Sequence, residues 1–444
     1  MSYVLNTESE KREMLKTIGV NSIMDLFGDI DESIIQKERL KLDKPLSEAR
    51  VKADMSSLSE KNIRKLSFLG AGSYNHFIPS VINHMLLRSE FYTAYTPYQP
   101  EMSQGSLQSI FEFQTYMCRL TGMDVSNASM YDGSTALAEA ASMCSIISGR
   151  KKIITSKTIH PQYREVVKTY CSMYDIEYKE VGYEGGITDC SEIEKCIGED
   201  VAGVLVQNPN FFGCVEDIKK IREISSKTNS MLVVCVVEAI SLGLLEPPKT
   251  ADIVVGEGQS FGIPKSYGGP AFGFMCVKKE YMRKIPGRLV GETVDMDKMK
   301  GYIMTLTARE QHIRREKSTS NLCTNQALLA LAGSVYLSIV GKQLKDIALI
   351  NAKKAKYLQE NLDKIGIKKR FPNPFFNEFA VKIPNSESVI GRLEKSGIEA
   401  GLNLERHYPE LKDCILVCST ETHSKEDAER LIEKIKGALD ETDI

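Results

Sequence analysis

The sequence predicts an α/β protein with two main domains: a large domain around a mixed, mostly parallel sheet and a smaller C-terminal α+β domain. Two observations support this fold class. The chain has 444 residues, more than one hydrophobic core usually fills. Short apolar runs also alternate with segments of helix length, as in sheets buried on both faces. These runs lie at Lys152–Thr155, Ile176–Val181, Val201–Gln207, Met231–Val237 and Asp252–Val255.

The last hundred or so residues predict the smaller domain. We expect helices near Asn325–Leu337 and up to Leu362, strands at Glu378–Ile383 and Cys414–Cys418, and a final helix from Ser424 with an apolar stripe. The predicted division is therefore a large domain over residues 66–320 and a small domain over residues 321–444.

Residues 1–65 predict a helical arm. Thr7 to Glu10 has the form of a capping box, a second helical run follows Asp31, and a third covers Leu46 to Ala53. Helices this short and charged bury little by themselves. Two interpretations stay open: an arm that packs on a partner chain, or a small cap on the chain's own large domain.

A glycine-rich segment from Gly256 to Gly269 lies between two apolar runs, Asp252–Val255 and Phe272–Val277. We interpret it as a loop between two strands. Glycines at this density let the backbone approach a ligand or another backbone closely. The loop is either part of a binding site or a tight crossover between strands.

Ligands of such sheets bind beyond the carboxyl ends of the strands. This places Gln207 to Asn210, Glu238 to Ser241 and the glycine-rich loop at one edge, together with His160. The segment Gly133-Ser134-Thr135 starts a predicted helix there, and a helix N-terminus is suited to bind an anion such as phosphate. The same three residues also fit a plain helix cap.

Two further segments contain candidate site residues. One is a glycine-punctuated loop, Phe68 to Pro79, and the other is rich in tyrosine and proline, Phe91 to Glu101, and leads into a predicted helix from Gln108 to Leu120. Tyrosines offer flat surfaces with polar tips, although a single tyrosine is more often ordinary packing. The candidates are Ser73, Tyr74, Asn75, His76, Tyr95 and Tyr98.

Two segments beyond the glycine-rich loop carry less information. Gly287 to Thr293 is expected at the surface, and Leu306 to Gln326 begins with a dense run of charges. A charged run is usually a solvated helix face. Burial against a partner, with its charges paired, is an equally open interpretation.

Composition excludes several function classes. The formal charge is −2 with no sustained basic run, which argues against nucleic acid and a charged membrane surface. The eleven cysteines show no metal-ligand spacing, so we expect reduced thiols and no metal. The first twenty residues are too charged for a secretory signal, and no apolar run approaches membrane-spanning length. We therefore expect a soluble, cytoplasmic protein.

Taken together, these segments resemble the fold-type I pyridoxal-phosphate (PLP) enzymes, and more closely glycine decarboxylase, the P-protein of the glycine cleavage system. The resemblance covers essentially the whole chain and is strongest to subunit 1, the N-terminal half of the enzyme where it is split into two chains. The blocks that carry it are Leu69 to His76, Tyr95 to Glu101, Tyr131 to Ala136, Arg309 to Lys317 and Thr319 to Asn321.

The resemblance implies a PLP-dependent transferase-like fold with a degenerate cofactor site. In subunit 2 of the family the glycine-rich loop begins with the cofactor lysine, whereas this chain has Gln259, and an amide cannot form a Schiff base. Lys265 follows six residues later, where histidine is usual. Glu238 stands where an aspartate pairs with the pyridinium nitrogen. The vestigial cofactor-binding positions are Gly133, Ser134, Thr135, Glu238 and Gln259.

The implied reaction is decarboxylation of glycine on PLP and transfer of the aminomethyl group to the lipoyl arm of H-protein. PLP would be held by subunit 2, with no catalytic residue in this chain alone and with the six candidates above completing a shared site. Two alternatives stay open. The chain is a non-catalytic scaffold that docks its partners, or it is an independent PLP enzyme that uses Lys265.

Overall fold

The structure is a computed structural model that describes residues 5–36, 38 and 40–440. It divides into two compact units, residues 1–63 and residues 64–444. Each unit is described by itself. The predicted boundary between residues 320 and 321 stays a prediction.

The first unit contains two α-helices, α1 (Glu8–Ile18) and α2 (Glu48–Ser59), and a 3₁₀-helix at Ile23–Phe27. The predicted capping box at Thr7 is present. The helical run predicted after Asp31 is wrong: Ser33 N–H donates to Asp31 Oδ1 at 2.8 Å, and such a side-chain turn competes with helix formation. None of the described residues of this unit is buried, in agreement with the expectation that its helices bury little.

The second unit is built from many short elements. Its strands are β1 (Leu66–Ser67), β2 (Val125–Ser126), β3 (Lys152–Ser156), β4 (Glu177–Val181), β5 (Tyr183–Glu184), β6 (Ile187–Thr188), β7 (Val201–Gln207), β8 (Met231–Val236), β9 (Ile253–Glu257), β10 (Gly273–Val277), β11 (Leu289–Val294), β12 (Lys300–Thr305), β13 (Glu378–Lys382), β14 (Ile398–Glu399), β15 (Leu402–Asn403) and β16 (Cys414–Cys418). Its helices are α3 (Ser80–Leu86), α4 (Ser89–Tyr92), α5 (Gln104–Thr121), α6 (Gly133–Ser148), α7 (Pro161–Met173), α8 (Cys190–Cys196), α9 (Ile218–Ser226), α10 (Gln311–Arg314), α11 (Ala327–Val340), α12 (Leu344–Lys364), α13 (Ser386–Lys395) and α14 (Lys425–Asp440).

A seven-stranded sheet forms the centre of this unit, in the order β2-β10-β9-β8-β7-β3-β4. The strands β9, β8, β7, β3 and β4 are parallel, whereas β10 is antiparallel to both of its neighbours. Alternate residues of β8 enter separate hydrophobic clusters, Val234 on one face and Val233 on the other. Burial on both faces explains why the predicted strands β7, β8 and β9 are continuous apolar runs, whereas the edge strand β4 exposes Glu177 and Lys179. The predicted fold class is confirmed.

The C-terminal part forms a smaller sheet, β13-β16-β15, which is antiparallel. The predicted strands at Glu378 and Cys414 and the helices α11, α12 and α14 are present. Ser424 caps α14, with the Asp427 N–H donating to its Oγ at 3.0 Å. Strand β1 pairs with β14, and Phe68 is packed in the hydrophobic cluster of this part.

Two sequence expectations need correction here. Residues Gly287 to Thr293 do not form a plain surface segment, because Leu289 and Val290 are buried and β11 pairs with β12 in a hairpin. The second expectation was that no apolar run approaches membrane-spanning length. The helical stretch Ala327–Lys364 is long and apolar enough, by length and composition, to cross a membrane. Its α11 side chains, including Tyr336, pack in the same hydrophobic cluster as the central sheet, so α11 is a core helix in this structure.

Candidate functional site

The candidate site lies at the carboxyl ends of the parallel strands, where the sequence places it. The loop from Leu69 to Phe77 contacts this edge and meets the residues that follow β8 and β9. Within the loop, Tyr74 and His76 are buried, whereas Asn75 and Phe77 are exposed. This alternation directs Tyr74 and His76 into the chain's own interior.

Gln259, two residues after the end of β9, holds this loop in place. The Tyr74 N–H donates to Gln259 Oε1 at 2.9 Å, and Gln259 Nε2 donates to the Tyr74 carbonyl at 3.0 Å. The same nitrogen donates to the Ile263 carbonyl at 2.6 Å. The buried carboxamide therefore satisfies the backbone of two segments at once, which a lysine ammonium group, with no acceptor, could not do.

The predicted anion site at the start of α6 is occupied by the chain's own carboxyl groups. Asp132 Oδ1 accepts from Thr135 N at 2.7 Å and from Ser134 Oγ at 2.9 Å. Glu257, the last residue of β9, accepts from Gly133 N at 3.0 Å. A helix N-terminus favours such acceptors. Burial raises the pKa of Glu257 to about 8.

His160 lies beneath the same loop. Its Nε2–H donates to the Ala71 carbonyl at 2.9 Å, and its Nδ1 accepts from Gln162 N. Burial lowers the pKa of His160 to about 4, so the ring is neutral. Gly72 has a φ of +97°, and a Cβ there would lie 2.8 Å from His160 Cδ2. The loop backbone is therefore packed directly against the imidazole ring.

A second buried carboxyl group, that of Glu378 on β13, accepts hydrogen bonds from the first half of the loop. Ala71 N donates to Glu378 Oε1 at 2.6 Å and the Tyr74 hydroxyl donates to Oε2 at 3.1 Å. Burial raises the pKa of Glu378 to about 8.

His76 lies between two carboxylates. Its Nε2 is 3.0 Å from Glu238 and its Nδ1 is 2.8 Å from Glu421. Burial opposes the charged ring, but the two carboxylates outweigh it and raise the pKa of His76 to about 10. Glu238 also accepts from Asn377 Nδ2 at 3.3 Å. The position predicted to face a pyridinium nitrogen is therefore used by the chain's own imidazolium.

The remaining predicted site residues lie nearer the surface. Tyr95 and Tyr98 are well exposed, and the Tyr98 ring contacts His312 edge-on with centroids 6.3 Å apart. Among the described residues, no hydrogen bond or ring contact joins either tyrosine to residues 73–76. Lys265 is half-buried in an otherwise exposed stretch of the glycine-rich loop.

Four further residues complete this arrangement. Sequence reasoning missed Glu378 and Glu421, whereas Gln207 and Glu257 lie in segments that it placed at this edge without giving either residue a role. Glu257, Glu378 and Glu421 bind the helix start or the loop, and Gln207 accepts from the His160 N–H at 2.8 Å. Three of them lie within or at the end of a strand, and the fourth lies shortly after one. A charged or amide side chain inside an otherwise apolar strand is the signal that could have identified them, because a buried polar group needs a partner.

Comparison with solved structures defines the class of protein. The chain shares its fold with a NifS-like protein (TM-score 0.63, 16% identity, 85% of this chain and 99% of that chain) and with a sphingosine-1-phosphate lyase from Burkholderia pseudomallei (TM-score 0.66, 12% identity, 92% and 94%). The fold is that of the fold-type I PLP-dependent enzymes.

Closer relatives define the family. The profile of the glycine cleavage system P-protein matches residues 1–435, and the chain belongs to that family. It is 51% identical to a probable glycine dehydrogenase (decarboxylating) subunit 1 from Geobacillus kaustophilus and 48% identical to the one from Bacillus subtilis, over 98% of each chain. A crystal structure of glycine decarboxylase (P-protein) in inhibitor-bound form superposes with a TM-score of 0.89 and 40% identity, over 99% of this chain and 100% of that chain.

The residues at the carboxyl edge of this chain do not fit PLP. The helix start that would bind its phosphate holds the carboxyl groups of Asp132 and Glu257, and negative or acceptor groups there compete with a phosphate. The loop backbone is packed on His160. Gln259 provides no amine for a Schiff base. No step of PLP chemistry is therefore derived for this chain's own site.

The carboxamide of Gln259 generates a stability prediction. Gln259→Ala leaves the buried N–H and carbonyl of Tyr74 without partners, so we expect the free energy of unfolding to fall by about 1–3 kcal/mol. Urea denaturation of the purified chain measures this. Gln108→Ala, at an exposed position on α5, is the control and should lower the free energy of unfolding by less. An equal decrease in both variants would contradict the assigned role of Gln259.

The buried carboxyl group of Glu378 generates a pH prediction. Because the pKa of Glu378 is raised, the folded state keeps a proton that the unfolded state loses near the ordinary glutamate pKa. The free energy of unfolding therefore falls as pH rises above that ordinary value, and the loss is complete once pH has passed about 8. Glu378→Gln mimics the protonated form. Between about pH 6 and about pH 8 the wild type should lose about 2 kcal/mol more than this variant.

Unfolding midpoints at several pH values test this prediction. Glu433→Gln, at an exposed position on α14, should keep the pH dependence of the wild type. If Glu378→Gln also keeps the pH dependence of the wild type, the account of Glu378 is contradicted.

Proposed function

We propose that this chain is subunit 1 of a two-chain glycine decarboxylase of the glycine cleavage system. Membership of the P-protein family, and identities near 50% to chains named as subunit 1, support this assignment. The relatives' name implies a second subunit. The proposed activity is decarboxylation of glycine on PLP, followed by transfer of the aminomethyl group to the lipoyl group of H-protein.

We further propose that subunit 2 holds the PLP. The observation that carries this step is the occupation of the corresponding edge in this chain by its own groups. Gln259 forms hydrogen bonds with the backbone of Tyr74, Glu257 accepts one from the start of α6, and His76 forms one with Glu238. Each of these groups is already in a buried hydrogen bond, so binding a cofactor here would first break several of them.

The contribution of this chain to catalysis is then indirect. It supplies exposed side chains to a site whose lysine belongs to the partner, and we propose Tyr95 and Tyr98 as the main ones because Tyr74 and His76 are directed inward. In the same loop Asn75 is exposed and Ser73 is half-buried, and both remain candidates. A cytoplasmic location and glycine as the substrate remain parts of this proposal.

Reconstitution tests the proposed function. The purified chain incubated with PLP and glycine should release no CO₂ and show no aldimine absorbance beyond that of PLP and glycine mixed without protein, because Gln259 provides no amine at the cofactor position. Addition of purified subunit 2 and lipoylated H-protein should restore both signals. Decarboxylation by the isolated chain, or no gain of activity in the mixture, would contradict the proposal.

The alternative is a scaffold that stabilises subunit 2 without lining its site, and the exposed tyrosines distinguish the two. If Tyr95 lines the site, Tyr95→Ala should lower kcat by at least about 10-fold at subunit concentrations at which the complex is fully assembled, with Tyr95→Phe showing how much of the loss is due to the hydroxyl. Steady-state kinetics and gel filtration of the assembled enzyme measure this. Met173→Ala, an exposed residue on α7, is the control, and equal rates in all variants favour the scaffold.

A further inference from the structure

Residues 309–317, which include the short helix α10, are here called the basic loop. The backbone has an unusual conformation at one residue of this segment, Arg315. Arg315 has a φ of 53° and a ψ of −126°, a combination that is unfavourable for any residue with a Cβ. Such conformations are energetically costly and persist only where the surroundings enforce them. They cluster at functional sites, so this arginine is a reason to examine the loop's surface.

The basic loop is fixed at its first residue to the body of the second unit. The buried Arg309 guanidinium donates to the carbonyls of Ile285 and Gly287. The chain is held again six residues beyond the loop, where the N–H groups of Cys323 and Thr324 donate to the Tyr131 hydroxyl, each at 3.2 Å. These contacts restrict the segment, which reduces the entropy that a partner would have to overcome.

The middle of the loop exposes positive charge. Arg314, Arg315 and Lys317 are exposed, and no salt bridge to any of them is found within residues 5–36, 38 and 40–440. Here only Glu316 stands among the three cations, so the loop presents an excess of positive charge.

Aromatic surface adjoins this charge. Tyr98 contacts His312 of the loop, and its side chain is 57% exposed, with Tyr95 at 78%. Arginine and tyrosine are the side chains enriched at the energetic centres of protein interfaces. The combination of exposed tyrosines, exposed arginines and a constrained loop is typical of a protein-binding surface.

We propose that the basic loop and the Tyr95–Tyr98 segment together form the contact surface for an acidic face of the partner subunit. This inference rests on the proposed function, which requires such a partner. Charge complementarity selects an acidic polypeptide. A second copy of this chain is disfavoured, because a two-fold contact through this surface would bring the cations of both copies together.

The test measures the affinity of the full-length chain for purified subunit 2 at low and high salt. Arg314→Glu should weaken binding by about 10-fold or more at low salt and reduce the salt dependence, because it places like charges opposite each other. Arg406→Glu, an exposed arginine on the small C-terminal part, is the control and should bind as the wild type does.

Arg315→Gly separates a binding role from a structural one. Glycine accepts the left-handed backbone without strain, so the isolated chain should remain at least as stable by thermal denaturation. Its affinity for subunit 2 should nevertheless fall by about fivefold or more, because an interface arginine is lost. Asp175→Gly, at another left-handed position (φ 52°), should leave the affinity unchanged.

Two outcomes would overturn the inference. One is unchanged affinity and salt dependence in both Arg314→Glu and Arg315→Gly while the wild-type complex forms and decarboxylates glycine; the proposed function then stands and only this surface is wrong. The other is self-association of the wild-type chain that Arg314→Glu abolishes. Failure of the wild-type chain to bind subunit 2 at all would instead contradict the proposed function itself.

Discussion

The packing of residues 69–77 against the carboxyl edge of the central sheet is the interaction on which the rest of the site depends. That edge collects polar groups because the parallel strands end there and helix starts point towards it. In this chain Gln259, Glu378, Glu238 and Glu421 each contact the loop. Every one of these side chains is buried to a large extent, and a buried polar group without a partner is costly. The loop supplies those partners.

The same constraint explains how a fold can be kept while its site changes role. The chain keeps the overall fold of the PLP-dependent enzymes. Where a cofactor would provide a phosphate, the chain provides Glu257. Beside it, the loop backbone at Ala71 and Gly72 is packed on His160. The chain's own groups thus form the hydrogen bonds at the carboxyl edge of the sheet. The surface around Tyr95 and the basic loop is left for a partner.

Much of the fold could be predicted from the sequence. The three central parallel strands, β7, β8 and β9, are continuous apolar runs because they are buried on both faces. The edge strand β4 is polar, and only Val181 of it is buried. The helix predicted after Asp31 failed because a side-chain turn between Asp31 and Ser33 decides that segment locally. The hairpin at Leu289 was missed because a two-stranded pairing depends on a distant partner, Thr305, and not on local pattern.

The site was predicted less completely than the fold. Gln259, Glu238 and the helix start at Gly133 were identified through resemblance, and their positions at one edge follow from strand order. The sequence could not show that Tyr74 and His76 turn inward, because this depends on long-range contacts with Glu378 and Glu421. It also gave no indication of the strained backbone at Arg315, which only coordinates reveal.

The most direct test of the central claim is reductive trapping of PLP on the isolated chain. The chain is mixed with a limiting amount of the aldehyde, reduced with borohydride and mapped by mass spectrometry. We expect no lysine to be labelled above the level of an exposed reference such as Lys342, because the edge of the sheet is filled by the chain's own groups. Near-stoichiometric labelling of a single lysine, with Lys265 the first to inspect, would contradict the account.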